Sequence, residues 1–240
     1  EYGEDKGIFG FGTVAGGRTG VTNLVSNTGV VASDTAAVGT ARGQLAACSY
    51  GGDKGIFGFG YSSSTTNLVS NTGVVGSDVT GVGTARNSLA ACEYGEDKGI
   101  FGFGHDGSSL VSTTTLISNA GVASADVTGV GTAKSGLTAC SYGIDKGIFG
   151  YGSTGSLAAA TNLVSNTGVV SSDVTGVGTA RVNLAACSYG EDKGIFGFGE
   201  IHPEGTKYDE TNLVSNTGVV ASDTATVATA RVELSACEYG

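Results

Sequence analysis

The sequence contains no Trp, no Met, one Pro and only two His among its 240 residues. A single Pro excludes Pro-rich linkers and, despite 43 Gly, a collagen triple helix. Charged residues make up 14% of the chain and apolar residues 40%, which excludes a disordered acidic tail. No apolar run approaches the length of about 18 residues that a membrane span requires. The net charge of −10 argues against nucleic-acid binding through bulk charge. We therefore expect no membrane insertion and no nucleic-acid partner.

What the sequence does contain is five copies of one unit. The motif Tyr-Gly-x-Asp-Lys-Gly-Ile-Phe-Gly-(Phe/Tyr)-Gly divides a single domain, 1–240, into repeats 2–49, 50–93, 94–141, 142–188 and 189–238. Each repeat adds a block like Asn-Leu-Val-Ser-Asn-Thr-Gly, then Thr-Ala-(Arg/Lys), then Leu-x-Ala-Cys. Nearly all length variation lies in one spacer per repeat: 13–21, 61–65, 105–113, 153–160 and 200–210. This pattern indicates a constant scaffold that carries one variable loop per repeat.

The local chemistry of each repeat is that of β-structure. Short runs rich in β-branched and aromatic residues are bounded by Gly, Asn and Asp, and no segment has the apolar spacing of a helix. Four short strands in 44–50 residues predict an all-β, five-bladed β-propeller of four-stranded blades. A β-helix is the alternative architecture. We expect the C-terminal strand 234–239 to pair with 7–12, completing the first blade and closing the ring. Five blades of a six- or seven-bladed ring remain the alternative to closure.

The blocks resemble those of kelch repeats. Lys-Gly-Ile-Phe-Gly-Phe-Gly is similar to the kelch strand "K-I-Y-V-x-G-G", and Thr-Ala-Arg with Leu-Ala-Ala is similar to "R-x-x-H-A-A". The kelch Gly-Gly pair is replaced by Gly-Phe-Gly, and the blade Trp is absent. The uniform repeats look most like kelch-like arrays in tailed-phage and bacterial surface proteins. The resemblance implies the propeller fold, with a virion-associated or extracellular location as the expectation, and says little about activity.

One basic residue precedes each Leu-x-Ala-Cys block, and an Asp lies eight residues upstream of it each time. The favoured interpretation is a structural Arg–Asp pair that fastens the connection between blades. The other is a ring of cations that binds an acidic ligand. The five basic residues are Arg42, Arg86, Lys134, Arg181 and Arg231.

Three other patterns predict structure rather than chemistry. The Asp-Lys pairs read as solvated turns, and their acidic residues lack the clustering of a calcium loop. The five Cys recur at one position per repeat without a Cys-x-x-Cys motif, so we expect free, buried, slowly reacting thiols and no zinc. His105 and His202 do not recur and have no carboxylate at a motif spacing, so we expect no catalytic residues, no metal and no cofactor.

The variable loops are the candidate binding surface. Strand order places them on the face that carries the basic residues, with the Asp-Lys and Asn-Thr-Gly turns on the opposite face. Loops on a rigid frame commonly form binding sites, and these are rich in hydrogen-bonding side chains. The sequence therefore predicts a non-catalytic module for carbohydrate or protein surfaces; a scaffold without a small-molecule ligand is the alternative. The loop residues predicted to bind are Arg18, Tyr61, His105, Asp106, Ser153 and His202.

Overall fold

The computed structural model describes residues 1–61, 63–203 and 205–238. All of the paired strands in this part of the chain are antiparallel, and none of its residues is helical. The prediction of an all-β fold is therefore confirmed. No described segment forms a helix long and apolar enough to cross a membrane.

Five sheets recur along the chain, one for each Gly-Ile-Phe-Gly motif. Sheet 1 has two strands, β1 (Gly7–Gly10) and β4 (Thr22–Val25). The other sheets have three strands each: sheet 2 has β5 (Ala46–Tyr50), β6 (Lys54–Gly58) and β7 (Thr66–Val69); sheet 3 has β8 (Ala90–Tyr94), β9 (Lys98–Gly102) and β10 (Thr114–Ile117); sheet 4 has β11 (Thr138–Tyr142), β12 (Lys146–Gly150) and β13 (Thr161–Val164); sheet 5 has β14 (Ala185–Tyr189), β15 (Lys193–Gly197) and β18 (Thr211–Val214).

Two of the variable loops contain small hairpins that the sequence did not predict. β2 (Thr13–Val14) pairs with β3 (Gly17–Arg18), and β16 (Glu200–Ile201) pairs with β17 (Thr206–Lys207). They lie in the spacers 13–21 and 200–210. Ser62 and Glu204, in the loops 61–65 and 200–210, lie outside the described residues.

The register is the same in every three-stranded sheet, with the Gly-Ile-Phe-Gly strand in the middle. In sheet 3, Ile100 lies opposite Cys92 on one side and Leu116 on the other. The predicted fourth strand is present only as isolated bridges, such as Thr114 with Val127. The residues that follow the Asn-Thr-Gly turn therefore lie beside the third strand without forming a continuous ladder, and four-stranded blades remain a prediction.

Neighbouring sheets pack a Phe ring of one against a glycine of the other. A Cβ added to Gly102 of β9 would lie 2.8 Å from Cζ of Phe149 in the next sheet. The same contact joins Gly58 to Phe101 and Gly150 to Phe196. These Phe side chains are completely buried. The second glycine of the motif is thus needed for close approach between sheets rather than for flexibility.

The face opposite the variable loops is built from two turns that hydrogen-bond to each other. In sheet 3, Nδ2 of Asn119 donates to Asp97 at 3.0 Å, and Lys98 lies against the same carboxylate. The equivalent Asn–Asp bond is present in all five sheets. The Asp-Lys pair is thus a partly exposed turn, as predicted.

All five cysteines are free, as predicted, but they are not equally buried. Cys92 and Cys140 are buried, Cys48 and Cys187 are partly buried, and Cys237 is exposed. Burial raises the pKa of Cys48 and of Cys140 to about 12. The prediction of five buried thiols is therefore wrong for Cys237, because residues 234–238 join no sheet within the described part of the chain.

The C-terminal segment forms no strand within its described part. Residues 234–238 are unpaired, β1 pairs only with β4, and residues 239 and 240 lie outside the described residues. Tyr2 forms a bridge with Lys6, which is the contact that Tyr50 makes with Lys54 at the end of β5. The pairing of 234–239 with 7–12 therefore stays a prediction.

Candidate functional site

Each basic residue lies in a crossover segment, which connects one sheet to the first strand of the next. Arg181 is representative: its Nε donates to the carbonyl of Phe198 at 2.7 Å, and its Nη2 donates to Oδ1 of Asn212 at 2.6 Å. Its Nη1 lies 3.3 Å from Asp223. The guanidinium also lies 5.0 Å from the ring centroid of Tyr151 in the preceding sheet. We call the basic residue, with the Asn (or Thr115) and Asp that face it, the junction cluster.

The Arg–Asp pairs exist, but the Asp is not the one eight residues upstream. Arg42 lies 3.7 Å from Asp78 and Arg86 lies 3.1 Å from Asp126, in the sheet that each crossover segment enters. The pair therefore ties the connection to the following sheet. Sequence spacing could not reveal this, because every repeat offers an equivalent Asp.

Burial removes four of the basic residues from the candidate ligand surface. The exposed fraction is 2% for Arg42, 0% for Arg86 and Arg181, and 1% for Lys134. Their charged groups point into the junctions, where an acidic ligand cannot reach them. Of the five basic residues only Arg231 is exposed, and its guanidinium carbon lies 4.4 Å from the centroid of the Phe198 ring.

The Asp of a junction cluster is held in its charged form. Burial alone raises the pKa of Asp78, but hydrogen bonds from Thr40 and Asn67 outweigh burial, so the pKa of Asp78 is lowered. The backbone N–H of Thr40 donates to both carboxylate oxygens of Asp78, at 3.2 and 3.1 Å. The cluster thus anchors the backbone of the crossover segment as well as the arginine.

Lys134 occupies the arginine position in the third repeat and fills it less well. Its Nζ donates to the carbonyl of Ala160 at 3.0 Å. Within the described residues, Oδ1 of Asn162 has no hydrogen-bond partner, whereas the equivalent oxygens of Asn67 and Asn212 accept from an arginine. Burial lowers the pKa of Lys134 to about 8.

The variable loops begin beside the junction clusters. The glycine that starts each loop donates its N–H to the carbonyl of the basic residue in the same repeat, as Gly104 does to Lys134 at 2.9 Å. The equivalent bond is present at Gly12, Gly60, Gly152 and Gly199. The loops and crossover segments thus lie on one face, at the opposite end of the strands from the Asp-Lys turns.

Neighbouring repeats also contact each other through the loops. The N–H of His105 donates to the carbonyl of Asn87 at 2.9 Å, and Ser153 makes the same bond to Ser135. The guanidinium of Arg18 lies 3.8 Å from the ring centroid of Tyr61, so two predicted site residues from adjacent repeats are in contact. The loops therefore form a continuous surface across repeats.

The remaining predicted loop residues support their own loops. Nδ1 of His105 accepts from the N–H of Gly107 at 3.0 Å, and Asp106 accepts from two backbone N–H groups at 2.8 Å each. The Oγ of Ser153 accepts from the N–H of Gly155 at 3.3 Å. The side chains of His105, Asp106 and Ser153 are partly exposed.

His202 lies beside a carboxylate that sequence reasoning missed. Its Nε2 is 3.1 Å from Oε1 of Glu200, and Nδ2 of Asn183 donates to the same oxygen at 3.0 Å. Glu200 starts the fifth loop, at the position of His105 and Ser153, so that equivalence was the signal available in the sequence. A single imidazole paired with one carboxylate provides a polar contact.

A second polar cluster, which sequence reasoning also missed, lies where several repeats converge. A cavity of about 130 Å³ is bordered by Glu93, Ser141, Ser188 and Glu238, which occupy the same position in successive repeats. Ser188 donates to Glu238 at 3.0 Å. Burial and the negative charge of Glu1 raise the pKa of Glu93 to about 7, and Glu238 adds to the shift. The signal was the Ser or Glu that stands between Cys and Tyr in every repeat.

No group of three or more His, Cys, Asp or Glu side chains within 1–61, 63–203 and 205–238 is arranged to hold a metal ion. No family model matches the chain, and no curated protein matches it.

Proposed function

We propose that this chain is a non-catalytic binding module, a kelch-like β-propeller whose variable loops contact a carbohydrate or protein surface. A part of a virion or cell-surface protein is the setting that fits this role. The proposed propeller has five blades of four strands, and the C-terminal strand completes the first blade.

Convergence of the repeats supports the propeller. The first strands of sheets 2 to 5 (β5, β8, β11 and β14) are neighbours in succession. Equivalent residues of successive repeats border the cavity beside Glu93, and charges from both Glu1 and Glu238 act on this one side chain. In a straight stack of repeats, residues near the two chain ends would lie too far apart to act on one side chain. Repeats arranged around a common axis bring the two chain ends together.

The observation that carries the function is the contrast between the scaffold and its loops. Junction clusters and Phe–Gly contacts recur with little change, while the loops that start beside them differ in length and sequence. A rigid frame that presents varied, exposed polar loops on one face is the arrangement of many binding surfaces.

The loop chemistry favours hydrogen bonding to sugars or peptides. Arg18, His105, Asp106, Ser153 and His202 supply donors and acceptors at the surface, and Tyr61 supplies a partly exposed ring. The guanidinium of Arg18 already packs over the ring of Tyr61. We therefore place the ligand along the polar edges of the loops rather than on a single aromatic platform.

A glycan array, followed by titration of the best glycan with the folded chain, tests the proposal. We expect binding in the millimolar range or tighter. Replacing the loop 105–113 with the shorter loop 61–65 should weaken binding at least tenfold if that loop contributes. Lys98→Ala, in a turn at the opposite end of strand β9, should leave binding unchanged.

Failure to bind any glycan or extracted surface polysaccharide at millimolar concentration would count against the carbohydrate proposal. Binding that survives replacement of all five loops would show that the ligand does not contact them, and absence of binding to any ligand would favour the alternative function, a structural scaffold. The buried junction clusters suit that alternative as well, because they hold adjacent repeats in fixed positions.

A further inference from the structure

The junction between sheet 5 and sheet 1 differs from the other four. Phe57, Phe101, Phe149 and Phe196 are at most 5% exposed, because each packs on a glycine of the preceding sheet. The equivalent Phe9 of sheet 1 is 53% exposed. The matching glycine of sheet 5, Gly197, meets only its own neighbour Thr211. Sheet 1 therefore has the Phe of this contact and sheet 5 has the glycine, but the two do not touch.

The junction cluster is divided in the same way. Arg231 keeps its contact with Phe198 in sheet 5, and its carbonyl still accepts from Gly199 at 3.0 Å. On sheet 1, Asp34 accepts from Asn23 at 2.8 Å, as Asp78 does from Asn67, but no cation lies against Asp34 among the described residues. We call the space between sheet 1 and sheet 5 with segment 228–238 the seam.

One residue distinguishes the crossover segment at the seam from the other four. At the position immediately before Thr-Ala-(Arg/Lys) the first four repeats have Gly39, Gly83, Gly131 and Gly178, and the fifth has Ala228. A Cβ added to Gly39 would lie 2.5 Å from Nδ2 of Asn67 and 2.7 Å from Oδ1 of Asp78. A Cβ added to Gly83 would lie 2.6 Å from Oδ1 of Asp126. These distances are too short for a carbon atom, so the cluster needs glycine at this position.

We propose that the methyl group of Ala228 opposes formation of the junction cluster with Asn23 and Asp34, so that the seam between sheets 5 and 1 opens and closes while the other junctions stay shut. The inference rests on the proposed propeller, in which segment 234–238 is the missing first strand of sheet 1. The partner of that segment is sheet 1 of the same chain.

Both ends of one chain lie close enough for this. Glu238 borders the cavity beside Glu93, and the carbonyl of Glu1 would be 2.9 Å from a Cβ added to Gly55 in sheet 2. In the register of sheet 2, Cys237 would lie opposite Ile8 and Ala236 opposite Phe9, as Cys48 lies opposite Ile56 and Ala47 opposite Phe57. Closure would therefore cover both Phe9 and Cys237.

Ala228→Gly tests the proposal by a gain of structure. The N–H of Thr229 should act as the reporter, because the N–H groups of Thr40, Thr84, Thr132 and Thr179 all donate to the Asp of a junction cluster. We expect exchange of the Thr229 amide, followed by NMR, to slow at least tenfold in Ala228→Gly. Labelling of Cys237 by a thiol reagent should slow by a similar factor.

Two further variants identify the contact. Adding Asp34→Ala to Ala228→Gly should return both rates to wild-type values, because it removes the acceptor. Gly83→Ala should show the reverse effect at an inner junction and speed exchange of the Thr84 amide. If Gly83→Ala does not fold, Ala228→Gly still decides the question alone.

Unchanged rates in Ala228→Gly, or a wild-type Thr229 amide that exchanges as slowly as that of Thr84, would overturn the proposal. A protective effect that grows with protein concentration, with dimers in sedimentation, would also overturn it by showing that sheet 1 of a second copy is the partner. Failure here is distinguishable from failure of the proposed function, since neither readout involves a ligand.

Discussion

A buried arginine in this protein joins three pieces of chain at once. Arg86 stacks over Phe59 in one sheet, donates to Thr115 at 2.7 Å in the next, and pairs with Asp126. The planar fork of the guanidinium allows these contacts simultaneously, which an ammonium group cannot do. The junction clusters are therefore the residues at which single substitutions should have the largest effects.

Removing one such arginine should destabilise the protein strongly. We expect Arg86→Ala to cost about 3 kcal/mol, since it leaves the partly buried carboxylate of Asp126 without its cation and opens a cavity. Urea unfolding followed by circular dichroism measures this cost. Arg18→Ala, an exposed arginine in a loop, should change stability by less than about 0.5 kcal/mol. Equal effects of the two variants would contradict the role given to the junction cluster.

Lys134→Arg should stabilise the protein by about 1 kcal/mol, because a guanidinium can reach both the unpaired Oδ1 of Asn162 and the carboxylate of Asp173. Arg181 makes the equivalent two contacts, with Asn212 and Asp223. The midpoint of urea unfolding at pH 7 is the measurement. Lys134→Met keeps the length of the side chain but cannot donate a hydrogen bond, and it serves as the control. Stabilisation by Met as large as that by Arg would show that removal of the buried charge, not the new hydrogen bond, is responsible.

The same lysine should make stability depend on pH. Its pKa is about 8 in the folded protein, whereas an ordinary lysine has 10.5. Between these values the unfolded chain binds more protons at this lysine, so its contribution to stability should rise as the pH increases from 8 towards 10. The buried thiols of Cys48 and Cys140, whose pKa is raised, contribute in the opposite direction. Below pH 8 the cost of burying the charge is constant. The contribution of Lys134 is therefore measured as the stability of the wild type minus that of Lys134→Arg, in which the thiol contributions cancel. This difference should rise from pH 8 to pH 10, and a difference that falls would contradict the assignment.

At the scale of the strand, glycine lets neighbouring sheets approach each other. We expect Gly102→Ala to cost about 1–3 kcal/mol, because its Cβ would press on the buried ring of Phe149. Thermal unfolding measures the loss. Ser108→Ala, in the loop that follows the same strand, is the matched control and should unfold like the wild type. A neutral Gly102→Ala would mean that the sheets can separate without cost.

The position of each cysteine along the row of repeats also decides how quickly its thiol reacts. Cys92 and Cys140 are covered by the next sheet, while Cys237 is exposed. We expect one thiol per chain to react quickly with a thiol reagent under native conditions, and Cys237→Ser to abolish that phase. Rapid labelling of several thiols in the Cys237→Ser protein would show that the sheets separate readily.

At the scale of the whole molecule, ring closure is the property to test. In Phe9→Cys/Ala236→Cys with Cys237→Ser, the two new thiols would face each other across a closed first sheet, with Cβ atoms about 5 Å apart. We expect an intramolecular disulfide under mild oxidation, seen as faster migration on a non-reducing gel. Phe9→Cys with Ser188→Cys, which closure does not bring opposite each other, is the control. Absence of the first disulfide would rule out closure by this strand.

The sequence alone determined the features that depend on neighbouring residues. The positions of the first three strands in sheets 2 to 5, the two turns on one face and the variable loops follow from Gly, Asn, Asp and β-branched residues that act within a few positions. The repeat then multiplies each local signal by five. The all-β fold is therefore predictable from short-range patterns of residues.

Only the tertiary structure decided which equivalent groups meet. Arg42 has an Asp in its own repeat and another in the next, and it pairs with Asp78 because the crossover segment packs on the sheet that it enters. Burial of Lys134 and exposure of Cys237 likewise depend on how segments far apart in sequence pack. A repeated sequence offers several identical partners for each side chain, and only the packing of one repeat on the next selects among them.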